Sequence, residues 1–335
     1  RQTSSGAVLG WVFYVPMALA GVPPLVFGVV ALIDLLYQFW VHTEQVGKLG
    51  WFDRWFCSPS NHRVHHAVND AYLDKNYGGI LILWDRIFGT FKDEDDKEKC
   101  VYGTRGLLNS WDPLWANAQV YAGLAHDSWH TRRWGDKLRV WLKPPGWRPA
   151  DVAQRFPKPA FDIARMPRYN PAMTPATRWF ACVQFVLLLV GVLVFLWHAD
   201  SAPLAHNTAW FAALLATQWA LGAVVQGRIS MPLALMIEAG ALATATSAVG
   251  WTEWHLVFKP LTMVIAIILI AVSALPVSAR GQFNTKSWAT MVLALVLSLA
   301  GDVFLMLHGL FIPGLVSFLG AHLAYIALFR QGVPW

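Results

Sequence analysis

Long apolar runs alternate with one long polar stretch, and that alternation sets the architecture of the chain. Apolar residues run almost unbroken from Ala7 to Val41, interrupted by Gly21-Val22-Pro23-Pro24, a punctuation that predicts two helices or a short helical hairpin. From Glu44 to Thr177 nothing is long and apolar enough to cross a bilayer, and prolines recur at 144, 145, 157, 159, 167, 171 and 175. Six more apolar runs follow, at residues 178–198, 207–226, 231–250, 254–275, 288–307 and 310–329. The hydrocarbon layer is ~30 Å thick, so helical runs of roughly 17–25 residues suffice to span it. The pattern predicts an all-α integral membrane protein of about eight transmembrane helices, with a large polar loop after the second.

Composition agrees with that solvent. Of 335 residues, 56% are hydrophobic and 14% charged, whereas soluble domains carry about 25% charged residues. Many of the 19 tryptophans stand at the ends of apolar runs (Trp40, Trp179, Trp197, Trp251, Trp254), where an amphipathic ring suits the headgroup layer. The net charge of +6 hints at nucleic acid until its distribution is read: 20 of the 26 basic residues lie between Lys48 and Arg178. A positive-inside tendency places this loop in the cytoplasm. Later turns alternate between acidic or neutral (Asp200, Glu253, residues 308–309) and basic (Arg228, Arg280 with Lys286, Arg330), with Lys259 the one base out of place. Topology and anionic lipid thus account for the charge, no nucleic-acid partner is needed, and a bacterial inner membrane is the expected location.

The remaining general features are bland. Cys57, Cys100 and Cys182 have no paired spacing, so neither a disulfide framework nor a zinc site is expected. The run from Lys92 to Lys99 reads as a solvated charged loop. The opening residues Arg1-Gln2-Thr3-Ser4-Ser5 hold no initiator methionine and no signal-peptide pattern, so the chain is expected to begin in mid-protein.

Candidate chemistry concentrates in Asn61-His62-Arg63-Val64-His65-His66. Imidazoles at i, i+3 and i+4 share one face of a helix, a metal-ligand spacing, although such a triplet in a polar loop can also be a surface accident. Neutral imidazole suits iron, zinc or copper, and an oxygen-activating iron site needs converging nitrogen or oxygen donors with positions left open. Three ligands on one helix are too few for two irons. His42, at the end of the preceding membrane helix, is a candidate fourth, though alone it would read as an interfacial helix-end imidazole. His126 and His130, at i and i+4, are a weaker pair in a Trp-rich segment. His198, His206, His255 and His308 lie near membrane ends and receive no role.

The ordered segments QFWVHTE, GWFDRWFCSPSNHRVHH and DKNYGGILILWDRIFGTF, between Gln38 and Phe91, closely resemble the fatty acid hydroxylase/sterol desaturase superfamily, within it the branch that includes alkylglycerol monooxygenase. The resemblance implies a membrane-bound non-haem diiron oxygenase acting on a lipid C–H bond, with two iron ions, O2 as co-substrate and an external electron donor. It implies His62, His65 and His66 as the last ligand motif and His42 as the isolated ligand. Asn69, Asp74, Asn76, Asp85 and Arg86 match the tail of that motif. Asp74 or Asp85 could orient an imidazole N–H, or Asp85 and Arg86 could form a local ion pair. The family's HxxxH and earlier HxxHH motifs have no counterpart here, since no histidine precedes His42, so about half of the ligands are expected in this chain.

A different pattern occupies the C-terminal part: Phe258-Lys259-Pro260-Leu261-Thr262, Ser298-Leu299-Ala300-Gly301-Asp302, then Phe311, Gly314, Ser317-Phe318, Ala321-His322 and Tyr325. An acid within a membrane helix is a functional candidate by default, and its bland alternative is a hydrogen bond from Asp302 to Ser298 or His322. This stretch resembles the first half of the lysoplasmalogenase-like YhhN family, which implies vinyl-ether hydrolysis with Asp302 as the first of two catalytic acids. The expected organisation is an oxygenase-like domain over 1–177, linking membrane helices over 178–253 and a partial YhhN-like region over 254–335. Lipid oxidation leads among the readings, ahead of ether-lipid hydrolysis alone and of a non-catalytic membrane module.

Overall fold

A computed structural model describes residues 10–144, 146–166, 169–278 and 285–330; Arg1–Ser5 and Arg280, named above, lie outside them. Among the described residues the fold is all helical apart from isolated bridges pairing Phe56 with Leu81 and Ala67 with Tyr102. After a 3-10 turn at Gly10–Tyr14 come α1 (Val15–Leu19), α2 (Pro24–Val41), α3 (Pro59–His66), α4 (Leu83–Phe88), α5 (Pro113–His130), α6 (Trp134–Leu142) and α7 (Ala150–Arg155). Then follow α8 (Pro175–His198), α9 (Leu204–Val225), α10 (Met231–Ala248), α11 (Thr252–Ser278), α12 (Thr285–Met306) and α13 (Phe311–Phe329).

Seven of these, α2 and α8 to α13, are long and apolar enough to cross a membrane. The eighth apolar run forms a shorter described helix, Gly10–Leu19; at ~1.5 Å per residue it reaches about half of the hydrocarbon thickness. Gly21, at φ +80°, supplies the left-handed turn between it and α2, and Pro24 starts α2 where a missing N–H costs no helical hydrogen bond. Of the best window in α2 only 6% is buried, so Leu25, Leu32, Leu36 and Phe39 point outward as lipid-facing side chains do. Trp179, Trp197, Trp251 and Trp254 are likewise exposed at helix ends, as interfacial anchors require.

The chain divides into two compact units. Unit 1 comprises residues 1–109 and 117–169, and unit 2 residues 110–116 and 170–335. In unit 2 the six spans pack against their neighbours in sequence. Small residues permit the close approach: a Cβ at Gly301 would stand 2.6 Å from the Phe318 ring, and one at Gly314 2.7 Å from Leu305. Ala220, Val224 and Ala234 form a buried cluster between α9 and α10. A buried Glu238 on α10 accepts from Gln184 Nε2 of α8 at 2.8 Å, a polar tie between spans.

Asp302 has a different partner from those its sequence neighbourhood offers. Lys259 Nζ on α11 lies 3.0 Å from Asp302 Oδ1 on α12, so the base that broke the alternation of turns is the counter-ion of the membrane acid. Ser298 Oγ donates instead to the Ala294 carbonyl at 2.9 Å, and His322 Nδ1 to the Phe318 carbonyl at 2.7 Å. Each satisfies its polar group within its own helix, which leaves Asp302 to the ammonium.

Candidate metal centre

The histidine motif folds as the eight-residue helix α3, whose ends are specified locally. Ser58 caps it by accepting from the Asn61 N–H at 3.3 Å, and Pro59 occupies the first turn. Val64 anchors the helix in a small core with Ala67 and Tyr72. Asn61 Nδ2 donates to the Asp53 and Phe56 carbonyls at 3.0 and 3.2 Å, while Asn76 Nδ2 donates to the carbonyls of Asn61 and Lys92 at 2.9 and 2.8 Å. Asn76 itself is left-handed at φ +53°, a conformation asparagine tolerates better than most residues. These amides secure α3 to the loops on both sides of it.

Three imidazoles converge. His62 and His66, one helical turn apart, have Nε2 atoms 3.0 Å from each other. His42, the residue capping the C-terminus of α2, brings its Nε2 to 2.9 Å from that of His62 and 3.1 Å from that of His66. Its Nδ1 lies 2.5 Å from the Gln38 carbonyl; that oxygen accepts the Nδ1 proton and leaves the Nε2 lone pair for a metal. His62 Nδ1 has the buried Cys57 sulfur 3.9 Å away. His65 lies outside the trio. Its ring is 5.1 Å from that of His66 and its Nδ1 is 3.4 Å from the Lys75 carbonyl.

Electrostatics keeps these rings ready as ligands. Burial, followed by the neighbouring imidazoles of His66, His42 and His65, pushes the His62 pKa down to about 3, and burial with His65 and His42 lowers that of His66. Both rings are therefore neutral near pH 7, the state a metal requires. Imidazole nitrogens ligate a divalent transition ion at about 2.1 Å. At ~2.1 Å, ligands about 90° apart stand about 3.0 Å from one another, whereas a tetrahedral set stands about 3.4 Å apart. With spacings of 2.9, 3.0 and 3.1 Å, the three Nε2 atoms are close enough together that one divalent ion would be held by all of them. Three imidazoles would leave further positions of such an ion open, as oxygen-activating iron needs.

Arg63, between the clustered histidines in sequence, joins the two elements that carry them. Its Nε and Nη2 donate to Glu94 Oε1 and Oε2 at 2.9 and 2.7 Å, while Nη1 donates to the Thr43 and Val46 carbonyls at 3.0 and 2.8 Å, just beyond His42. Burial would raise the Glu94 carboxyl, but Arg63 and Ser60, which donates at 2.7 Å, hold it below the ordinary carboxylate range. Glu94 lies in the Lys92–Lys99 run read above as a solvated face. That reading fails at Glu94, and no short-range signal separates this acid from its charged neighbours.

The other motif residues act as loop structure. Asp85 is buried and accepts from the backbone N–H groups of Tyr77 and Gly78, both at 2.7 Å, and from Thr90 Oγ1 at 2.6 Å, so it neither orients an imidazole nor pairs with Arg86. Arg86 Nε donates to the Arg54 carbonyl at 3.0 Å. Asp74 sits at φ +56° in the turn below Tyr77. Asn69 accepts from the Val101 N–H and donates to Glu98 and the Lys99 carbonyl. The rings of His126 and His130 lie 4.1 Å apart, tilted by 31°, beside Phe156 and next to Asp127, which is bound by Arg148 at 2.6 Å. Asp34, missed as an acid within a membrane span, accepts from Gln38 Nε2 one turn below the residue that holds His42.

The fold and the cluster define a class: a multispan helical membrane protein with a cluster of imidazoles, able to hold a metal ion, at the end of a membrane helix. Particular relatives agree. Residues 2–90 match the family model described as fatty acid hydroxylase, and residues 254–335 match the YhhN family. Alkylglycerol monooxygenase of Danio rerio is 40% identical over 197 residues, covering 56% of this chain and 42% of that protein; the Homo sapiens protein of that name is 35% identical over 190 residues, with the same coverage. The ornithine lipid hydroxylase OlsE of Rhizobium tropici is 32% identical over 94 residues, 28% of each chain. The chain spans under half the length of these relatives. No solved structure matches it.

Proposed function

We propose that the chain carries part of the ligand set of a membrane-bound non-haem diiron oxygenase that oxidises lipid C–H bonds with O2, of the ether-lipid monooxygenase type. The convergence of three Nε2 atoms within 3.1 Å carries this reading. The fatty acid hydroxylase match and the lipid-oxidising relatives support it. His42, His62 and His66 hold one ion, and His65, on the same helix turn, is left for the second. Bound iron supplies O2 activation, for which no side chain suffices.

The chain's own residues place and protect that chemistry. Burial holds His62 and His66 unprotonated, the Gln38 carbonyl keeps the His42 proton on Nδ1, and Arg63 fixes α3 against the end of α2. The apolar surface of α2, with Leu32, Leu36 and Phe39 exposed, gives an alkyl chain in the bilayer a path towards His42. Residues 1–177 form the oxidising domain, with its polar loop in the cytoplasm where an external donor delivers electrons. The full chain is expected to bind iron and to lose it at least about tenfold more readily in His62→Ala and His66→Ala. Unchanged iron content in both variants refutes the reading.

A second reading concerns residues 254–335, with 178–253 as linking helices, and is favoured by the YhhN match and the Asp302–Lys259 pair. There Asp302, positioned by Lys259, serves hydrolysis of the vinyl ether bond of a lysoplasmalogen. Aldehyde release from that lipid tests it. Unchanged release in Asp302→Asn removes Asp302 from the mechanism, and absence of both iron binding and aldehyde release leaves a non-catalytic membrane module.

A further inference from the structure

Apart from the imidazoles, unit 1 contains a cavity of about 500 Å³ lined by Lys48, Asp53, Arg54, Trp55, Arg86 and Asp93. Its charges do not neutralise one another. Asp53 is 8% exposed; its Oδ2 accepts from the Leu49 N–H at 2.6 Å, but its Oδ1 is buried and has no hydrogen-bond partner among the described residues. A carboxylate oxygen removed from water without a donor is costly, so the site calls for one. The Arg54 guanidinium meets no acceptor among the described residues. Arg86 spends its donors on the Arg54 and Asp53 carbonyls and lies over the Phe91 ring at 3.6 Å, with no carboxylate partner among the described residues. Lys48 is already engaged by Asp96 at 3.2 Å. The cavity thus offers two arginines short of an anion and one acid short of a donor.

Its surroundings give the depth at which a ligand would arrive. Trp51, Trp55, Trp84, Ile87 and Phe88 are 53% to 74% exposed, in the segment that follows span α2 and on α4. Tryptophans beside long apolar side chains favour the headgroup layer. We infer that this cavity binds the headgroup of a phosphoethanolamine lipid, with the phosphate on Arg54 and Arg86 and the primary ammonium donating to the carboxylates that line it, Asp53 foremost. Asp93 adds a second negative charge for the ammonium. A choline headgroup carries the same phosphate but no N–H, so it has no hydrogen bond to give these carboxylates. None of the four candidate metal ligands lines the cavity, so the site is independent of iron.

Lipid retention by the full chain in detergent, read by native mass spectrometry, tests this with phosphatidylethanolamine and phosphatidylcholine of identical acyl chains. Phosphatidylethanolamine is expected to be held about tenfold more tightly, the worth of one charge-assisted hydrogen bond. Asp53→Asn is expected to abolish that preference, and the double variant Arg54→Gln/Arg86→Gln to weaken both lipids. Equal retention of the two lipids by the unaltered chain overturns the proposal. So does displacement of phosphatidylethanolamine by equimolar inorganic phosphate, which would mark a plain anion site. Arg54 is exposed and its guanidinium meets no acceptor among the described residues, so Arg54→Gln alone stays informative if Asp53→Asn fails to fold. Unchanged phosphatidylethanolamine retention in Arg54→Gln overturns the proposal equally.

Discussion

Replacing Arg63 by glutamine is expected to loosen His42 from the other two imidazoles. The side chain makes five hydrogen bonds across two elements: three to Glu94, at 2.7 to 3.1 Å, and two to carbonyls beyond His42. Hydrogen bonds involving a charged group contribute about 1.5–3 kcal/mol each, but they are not additive within one side chain. The pair is 13% and 16% exposed, so the loss falls short of a fully buried ion pair, and about 2–3 kcal/mol of stability is a fair expectation. Groups that orient ligands typically cost 10–100-fold in metal affinity when removed, or about 1.4–2.8 kcal/mol. The assay is a chelator-buffered Fe(II) or Co(II) titration of Arg63→Gln, Arg63→Lys and Glu94→Gln beside their melting curves. Lysine cannot make the two-pronged contact, so Arg63→Lys should fall between the others. If Arg63→Gln melts earlier yet binds metal with unaltered affinity and an unaltered Co(II) spectrum, the clamp holds the loop only, and the link to His42 is wrong.

Three further outcomes follow from packing and charge. Gly301→Ala would press a methyl into the Phe318 ring, so it should lower stability in detergent by about 1–3 kcal/mol, and Phe318→Ala should recover part of that loss in a double variant. Asp127 has its carboxyl held below the ordinary range by Arg148, helped by His126. A depressed folded value means that this stability is complete above the unfolded pKa of about 3.9 and is lost as pH falls through the lower folded one; tryptophan fluorescence of the full chain between about pH 5 and about pH 2 should show the loss, and Arg148→Gln should remove it. Asp302→Asn and Lys259→Gln should each destabilise, whereas the double variant should cost less than their sum by about 1 kcal/mol, a coupling that an unpaired arrangement would not show.

How far the sequence carries depends on range. The spans are legible because each apolar helix reports its solvent locally, and the histidine spacing is legible because His62 and His66 share a face in any helix. Which of the three neighbours converges is decided by His42, and residues 20 and 24 positions apart leave no periodic trace. His65, at i+3, falls on the other flank of α3 from the approach of α2. Glu94 pairs with Arg63 over 31 positions and hides in a run whose average is a solvated loop. Lys259 did leave a mark, as the base that broke the topology, but its acid lies on the next span. Asp34 and Glu238 were available in the same way, as lone acids in apolar runs.

The Lys259–Asp302 contact also bears on how the membrane part is made. As the chain is synthesised, α11 enters the bilayer with an ammonium for which the lipid has no counter-charge, and that counter-charge comes only with α12. Residues near 259 gain their full membrane stability only once those near 302 have arrived, so the two helices settle as one hairpin, and a ribosome stalled between them leaves α11 held less firmly in the bilayer.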